Sequence, residues 1–283
     1  MCERNDPQVW HDPTGTPPPE RPAASVPTIR HLKNTNMKRF PALGASLALL
    51  LAVGCGEQTV APRFTTLHVD TLLVCGTARY SVRYDFTSIA NASEDAALQA
   101  IEEANIRNFF DLEYSPGSAR QAADTALADL YAEMIPDQET EYAWENTLSA
   151  QSDAAVVADT LLVYTIDMSG YSGGAHGYYG RTVRNYSLKG GYDLMLNDLF
   201  DATQRDLLDE LIRDKLYDRY GVADDVGLAA EGFFPEEIAA TENFAIGEQG
   251  ITFYYNPYDI GCYALGDVEV HIGFDELNEL ENL

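Results

Sequence analysis

The sequence predicts an α+β protein: antiparallel sheets with helices packed on one side, arranged in two small subdomains at residues 64–138 and 139–283. Three observations lead there. Strand-like runs come in pairs separated by short turns, helical stripes are grouped rather than alternating one for one with strands, and the last forty residues are again β-rich.

The first element is a strand-like run from Leu67 to Phe86, with Val69, Leu73, Ala78, Tyr80, Val82 and Tyr84 at its apolar and aromatic positions. A helix is expected from Ser93, an N-cap residue followed by Glu94 and Asp95, with Ala97, Leu98, Ile101 and Ala104 at helical spacing. A second helix begins near Ser115-Pro116 and buries Ala119, Ala122, Ala126, Leu130 and Met134 before Pro136. Strands follow at 142–152 and 155–168, with a hairpin turn at Ser152-Asp153. The segment 171–180 reads as a glycine-rich loop and 181–188 as a strand, closed by the turn Lys189-Gly190-Gly191. Thr203 and Asp206 form a capping-box-like start to a helix whose stripe is Leu207, Leu211 and Tyr220. Pro235 opens a helical turn through Ala240; strands at 244–246, 251–255 and 267–272 and a short helix from Phe274 complete the chain.

Upstream of this domain, Met37–Cys55 (MKRFPALGASLALLLAVGC) has the plan of a bacterial lipoprotein signal. Lys38 and Arg39 supply the basic start, an apolar run follows, and small residues lead into Cys55, the expected acylation site. The run is short for a membrane span. Ala52 stands where such signals usually carry Leu. Residues 1–36, rich in proline and without strand or helix period, read as a segment upstream of the true start at Met37. The competing reading makes them a cytosolic tail and 40–54 a signal anchor. The signal peptide is taken as 37–54 and the tether as 55–63. The expected address is the bacterial cell envelope, periplasmic or outer-surface, with the membrane engaged through the lipid anchor only.

The 283-residue chain carries a formal charge of −27. Removal of residues 1–54 takes away 6 of 18 Lys+Arg and 4 of 45 Asp+Glu, which leaves −29. Such a surface disfavours nucleic acid and favours cationic partners, a lysozyme-like protein among them; the alternative is an acidic solvated surface with no partner. With Cys2 upstream and Cys55 acylated, Cys75 and Cys262 are left as a disulfide pair in an oxidising compartment, or as two thiols.

Three segments carry a family resemblance: Tyr171-Ser172-Gly173-Gly174-Ala175-His176-Gly177, then 186–200 ending Leu196-Asn197-Asp198-Leu199-Phe200, then Phe253-Tyr254-Tyr255-Asn256-Pro257-Tyr258-Asp259-Ile260. With Val268-Glu269-Val270 and Phe274-Asp275-Glu276-Leu277 after them, their order resembles the RsiV/PdaC-type domain of unknown function. The resemblance covers about 140–283, and residues 64–135 are similar to the smaller domain that often precedes it. Ser172 stands where Thr is usual and Cys262 where an apolar residue or Pro is usual. That domain forms the lysozyme-sensing exterior of an anti-sigma factor and an accessory region of a peptidoglycan deacetylase. The resemblance implies ligand binding outside the cell; no deacetylase domain is present in the sequence to carry the catalytic activity over.

Gly170-Tyr171-Ser172-Gly173-Gly174 matches G-x-S-x-G, but a strand rather than a helix is expected after it, so it lacks the context of a nucleophile elbow. His68, His176 and His271 have no metal-ligand spacing, and neither metal nor cofactor is expected. His176, in a glycine loop, reads as a binding residue or as a structural histidine that satisfies loop carbonyls. Tyr171, Tyr178, Asn256 and Tyr258 join it as binding candidates: if the two tyrosine-rich loops meet, they form an aromatic platform for sugar rings or a protein partner. The expected function is therefore a non-catalytic, lipid-anchored envelope protein that binds a lysozyme-like protein or a peptidoglycan fragment. The alternative is a cell-wall glycan-active enzyme or its accessory domain, for which no carboxylate pair stands out.

Overall fold

A computed structural model describes residues 59–135 and 145–280. The upstream segment 1–36, the signal 37–54 and Cys55 lie outside the described residues. Among the described residues two sheets and six α-helices make an α+β fold.

The strand-like run from Leu67 to Phe86 is a hairpin, not one strand. β1 (Phe64–Cys75) pairs antiparallel with β2 (Ala78–Ile89), and Gly76 takes the turn at φ 61°. Ser93 lies in a single 3-10 turn, Ala92–Glu94. The cap of α1 (Ala96–Phe110) is Asp95, whose carboxylate accepts from the N–H groups of Ala97 and Leu98. α2 (Ala119–Met134) starts at Ser118, past the proline expected to open it. Both helices lie between β2 and β3 (Glu145–Val157), so the chain re-enters the sheet in its original direction and β2 and β3 pair in parallel. This is the one departure from the antiparallel pattern expected.

The β3–β4 hairpin turns at Ala158–Thr160, with Ala158 and Asp159 left-handed, and not at Ser152-Asp153. Ser152 stays in the strand because its Oγ accepts from Thr87 N–H (2.8 Å) and from the Tyr164 hydroxyl (2.8 Å), which absorbs its turn chemistry within the sheet. β4 (Leu161–Tyr171) and β5 (Tyr178–Ser187) complete the five-stranded sheet in the order β1-β2-β3-β4-β5. A single turn, α3 (Leu196–Leu199), precedes α4 (Ala202–Tyr220), which is capped by Asp201 with Gln204 and not by the Thr203/Asp206 pair. α5 (Asp225–Glu231) follows. A second sheet, β6 (Phe244–Ile246), β7 (Gly250–Tyr255) and β8 (Val268–Gly273), leads into α6 (Phe274–Leu280).

Two cores share the large sheet, and strand alternation assigns each side chain to one of them. Leu162, Tyr164 and Ile166 of β4 face α1 and α2, where Tyr84 and Phe86 meet Phe109 and Phe110 with ring centroids 5.1–5.9 Å apart. Leu161 and Val163, one residue out of phase, join Val183, the α4 stripe Leu208, Ile212 and Leu216, and the buried face of the small sheet. The 138/139 division falls in the undescribed segment between α2 and β3, and the five-stranded sheet draws strands from both sides of it.

Of the two readings of Cys75 and Cys262, the disulfide is not formed. Cys75 ends β1 in a small cluster with Ala78 and Met134, whereas Cys262 flanks the turn at Tyr263–Leu265 beside the small sheet. Among the described residues no helix is long and apolar enough to cross a membrane.

Candidate functional site

The outer edge of β5 would be an open hydrogen-bonding ladder if nothing covered it. Side-chain amides close it. Asn256 accepts from Arg181 N–H (2.7 Å) and donates to Arg181 C=O (3.0 Å), while Asn243 accepts from Val183 N–H (2.8 Å) and donates to that same carbonyl (2.8 Å). Buried Asn185 reaches the other way, accepting from Ile246 N–H and donating to Phe244 C=O. An amide presents the donor and acceptor of a peptide group, so three asparagines join two sheets that could not pair by backbone alone. The close approach is possible at Gly180, where even a Cβ would lie 3.2 Å from the Asn256 oxygen.

This seam places the outward face of the small sheet against β3, β4 and β5, leaving a cleft of about 400 Å³. Its floor is two rows of neighbouring side chains read across the strands: Ser149, Ser169 and Tyr179 in one, Gln151, Asp167 and Arg181 in the other. Tyr254, Asp267 and Glu269 form the facing wall. Arg181 dominates the electrostatics. Its Nε and one terminal nitrogen bind the two oxygens of Asp167 (2.7 and 3.0 Å), Glu269 lies 3.6 Å from the other nitrogen, and the Tyr254 ring lies 5.5 Å beneath the guanidinium. The hydrogen bond to Asp167 raises the Arg181 pKa, and burial raises that of Tyr254.

At one end the glycine loop 172–177 meets the Asn256-Pro257 turn. His176 stacks on Tyr263 with centroids 3.8 Å apart and 17° between planes; Tyr258 lies 5.7 Å and Tyr179 6.0 Å from Tyr263. The Tyr263 hydroxyl donates to Gly177 C=O, and His176 Nδ1 lies 2.8 Å from the same carbonyl, so His176 both organises its loop and presents an exposed ring. Tyr258 is 57% exposed and holds φ 77°, an uncommon conformation for a residue with a side chain.

Of the residues nominated from sequence, His176 and Tyr258 come together, and Asn256 belongs to the seam beside them. Tyr171 donates its hydroxyl to Gly174 C=O within its own loop. Tyr178 is not part of the platform: alternation along β5 sends it to the opposite face, over Gly170 and beside Tyr80 and Tyr84, both pushed up to about 12 by burial and then by Tyr178. The G-x-S-x-G segment runs from β4 through the loop into β5, without the helix an elbow needs. Among the described residues no three His, Cys, Asp or Glu side chains cluster as metal ligands.

Sequence reasoning missed Asp167, Arg181 and Gln151 as site residues; Tyr179 and Tyr263 belong to the tyrosines flanking the two loops from which the platform was expected. The legible signal was a lone Asp167 in the mostly apolar strand β4, which a hairpin register would have placed opposite Arg181 of β5.

None of the curated proteins matches this chain. The architecture is similar to that of a DUF3298-family protein from Bacteroides fragilis NCTC 9343, with a TM-score of 0.70 and 24% identity over 80% of this chain and 100% of that one. It is also similar to a DUF3298-family protein from Pseudomonas aeruginosa PAO1, with a TM-score of 0.53 and 21% identity over 78% and 95%. Residues 197–275, from α3 through β8 into α6, match the family model DUF3298, described as a protein of unknown function.

Proposed function

We propose that this chain is an exported, Cys55-anchored envelope protein of the RsiV/PdaC type, and that its cleft binds an extracellular ligand without chemistry. The observation that supports this most is an aromatic platform of His176, Tyr258 and Tyr263 linked through Tyr179 to a cleft whose lining carboxylates outnumber its one cation, Arg181. Exposed rings beside hydrogen-bonding groups suit sugar rings and the side chains of a protein partner alike. The bidentate hold of Arg181 on both oxygens of Asp167 fixes that carboxylate in place while leaving lone pairs for a ligand, an arrangement suited to recognition.

The test is calorimetric titration of the purified chain with hen lysozyme and with muropeptides, at low and physiological salt. Binding that survives physiological salt and weakens about tenfold or more in Tyr258→Ala, a loss of at least ~1.4 kcal/mol, is expected. Binding that vanishes at moderate salt overturns the reading, because screened surface charge alone would then be acting. Turnover of muropeptides would replace it with the glycan-active enzyme. Export is read separately: Cys55→Ser should move the protein out of the membrane fraction.

A further inference from the structure

The floor of the cleft does not stop at its mouth. The row Gln151–Asp167–Arg181 continues through the sheet register to Asp85 on β2 and His68 on β1, and the row Ser149–Ser169–Tyr179 continues to Arg83 and Asp70. A third row beside them, Leu72–Ser81–Thr147–Tyr171, has an exposed apolar residue at its outer end. The small sheet stands over the β4–β5 end, whereas His68, Asp70, Ser81 and Arg83 are exposed. With strands about 4.8 Å apart, the rows run about 19 Å from β5 to β1. Short Ser and Thr side chains in the middle of the sheet keep the surface low between the charged groups.

Five of the six charged or titratable groups along these rows, all but Asp70, lie against one another. His68 Nδ1 lies 2.5 Å from one Asp85 oxygen and Arg83 Nε 2.9 Å from the other, and Asp167 is held by Arg181. A cationic partner would have to break these pairs, while the acidic remainder of the surface offers it carboxylates without that cost. A hydroxyl-rich, uncharged ligand needs no such exchange. The planar ends of Arg83, Asp85, Gln151, Asp167 and Arg181 retain unused donors and acceptors for vicinal hydroxyls, and Tyr179, Tyr254 and Leu72 offer apolar faces for the C–H side of a sugar ring.

We propose that the covered cleft and the open face of β1–β3 form one extended trough for a linear, uncharged glycan chain lying across the strands. This rests on the cleft being a binding site, and it names the ligand class of that site. The probe is a series of N-acetylglucosamine oligomers from dimer to octamer, titrated calorimetrically into the full chain. Affinity should rise about tenfold or more from dimer to hexamer and then level off when the trough is filled. Arg83→Ala, one strand beyond the cleft floor at Ser149, should weaken hexamer binding more than dimer binding and remove most of the gain with length. Affinity independent of length, or a length dependence untouched by Arg83→Ala, overturns the trough. If no oligomer binds while lysozyme binds in salt, the trough falls and the cleft reading stands; if neither binds, both fall.

Discussion

Glu102 shows how one buried side chain carries a measurable consequence. It lies on the inward face of α1, where its carboxylate accepts from Ile89 N–H (2.8 Å) and the Ser88 hydroxyl (2.5 Å). Burial raises its pKa and outweighs the two hydrogen bonds, which act in the opposite sense. A carboxyl whose folded pKa exceeds its unfolded one favours folding below the unfolded value, about 4.5, and that contribution is lost as pH rises through the raised value. Glu102→Gln should therefore gain stability relative to the parent protein as pH rises from acid to neutral, read as denaturant midpoints across that range. A difference that stays flat with pH would mean the carboxyl titrates normally. At the same scale, His176 and Tyr258 were legible because glycine and proline marked their loops. Arg181 was not, because its partners come from Asp167, fourteen residues away, and from Tyr254 and Glu269, more than seventy residues away.

Among the elements, composition located most of the helices and strands but misplaced several of their ends. Ser93 and Thr203 are good caps by type, yet Asp95 and Asp201 do the capping, since the residue whose oxygen reaches the N2 or N3 amide depends on where the preceding chain turns. Asp95 accepts two amide hydrogens, so Asp95→Ala should cost about 1 kcal/mol or somewhat more, visible as a lower urea midpoint with unchanged slope. An unchanged midpoint would assign the start of α1 to its packing alone. The parallel pairing of β2 with β3 was not legible either, because it depends on both intervening helices lying on one face of the sheet.

For the whole molecule, β4 decides how the parts behave together. Its side chains alternate between the two cores, Leu162 into one and Leu161 and Val163 into the other, so neither core can lose this strand without exposing both. Leu162→Ala and Leu208→Ala, truncations in different cores, should each cost about 2–5 kcal/mol and shift one common thermal transition. Two separable transitions would show that the halves melt independently. The sequence pointed to two subdomains divided ahead of β3; the strand their cores share is visible only once the register is known.

The seam between the sheets also bears on chemical ageing. Asparagine slowly turns into aspartate when the next residue's backbone nitrogen attacks its amide. Asn256 precedes Pro257, whose nitrogen has no hydrogen to lose, and Asn185 and Asn243 precede the bulky Tyr186 and Phe244. Conversion at Asn256 would replace the N–H that donates to Arg181 C=O with an anionic oxygen facing that carbonyl. The amides that join the two sheets are thus followed by residues that slow or block this decay.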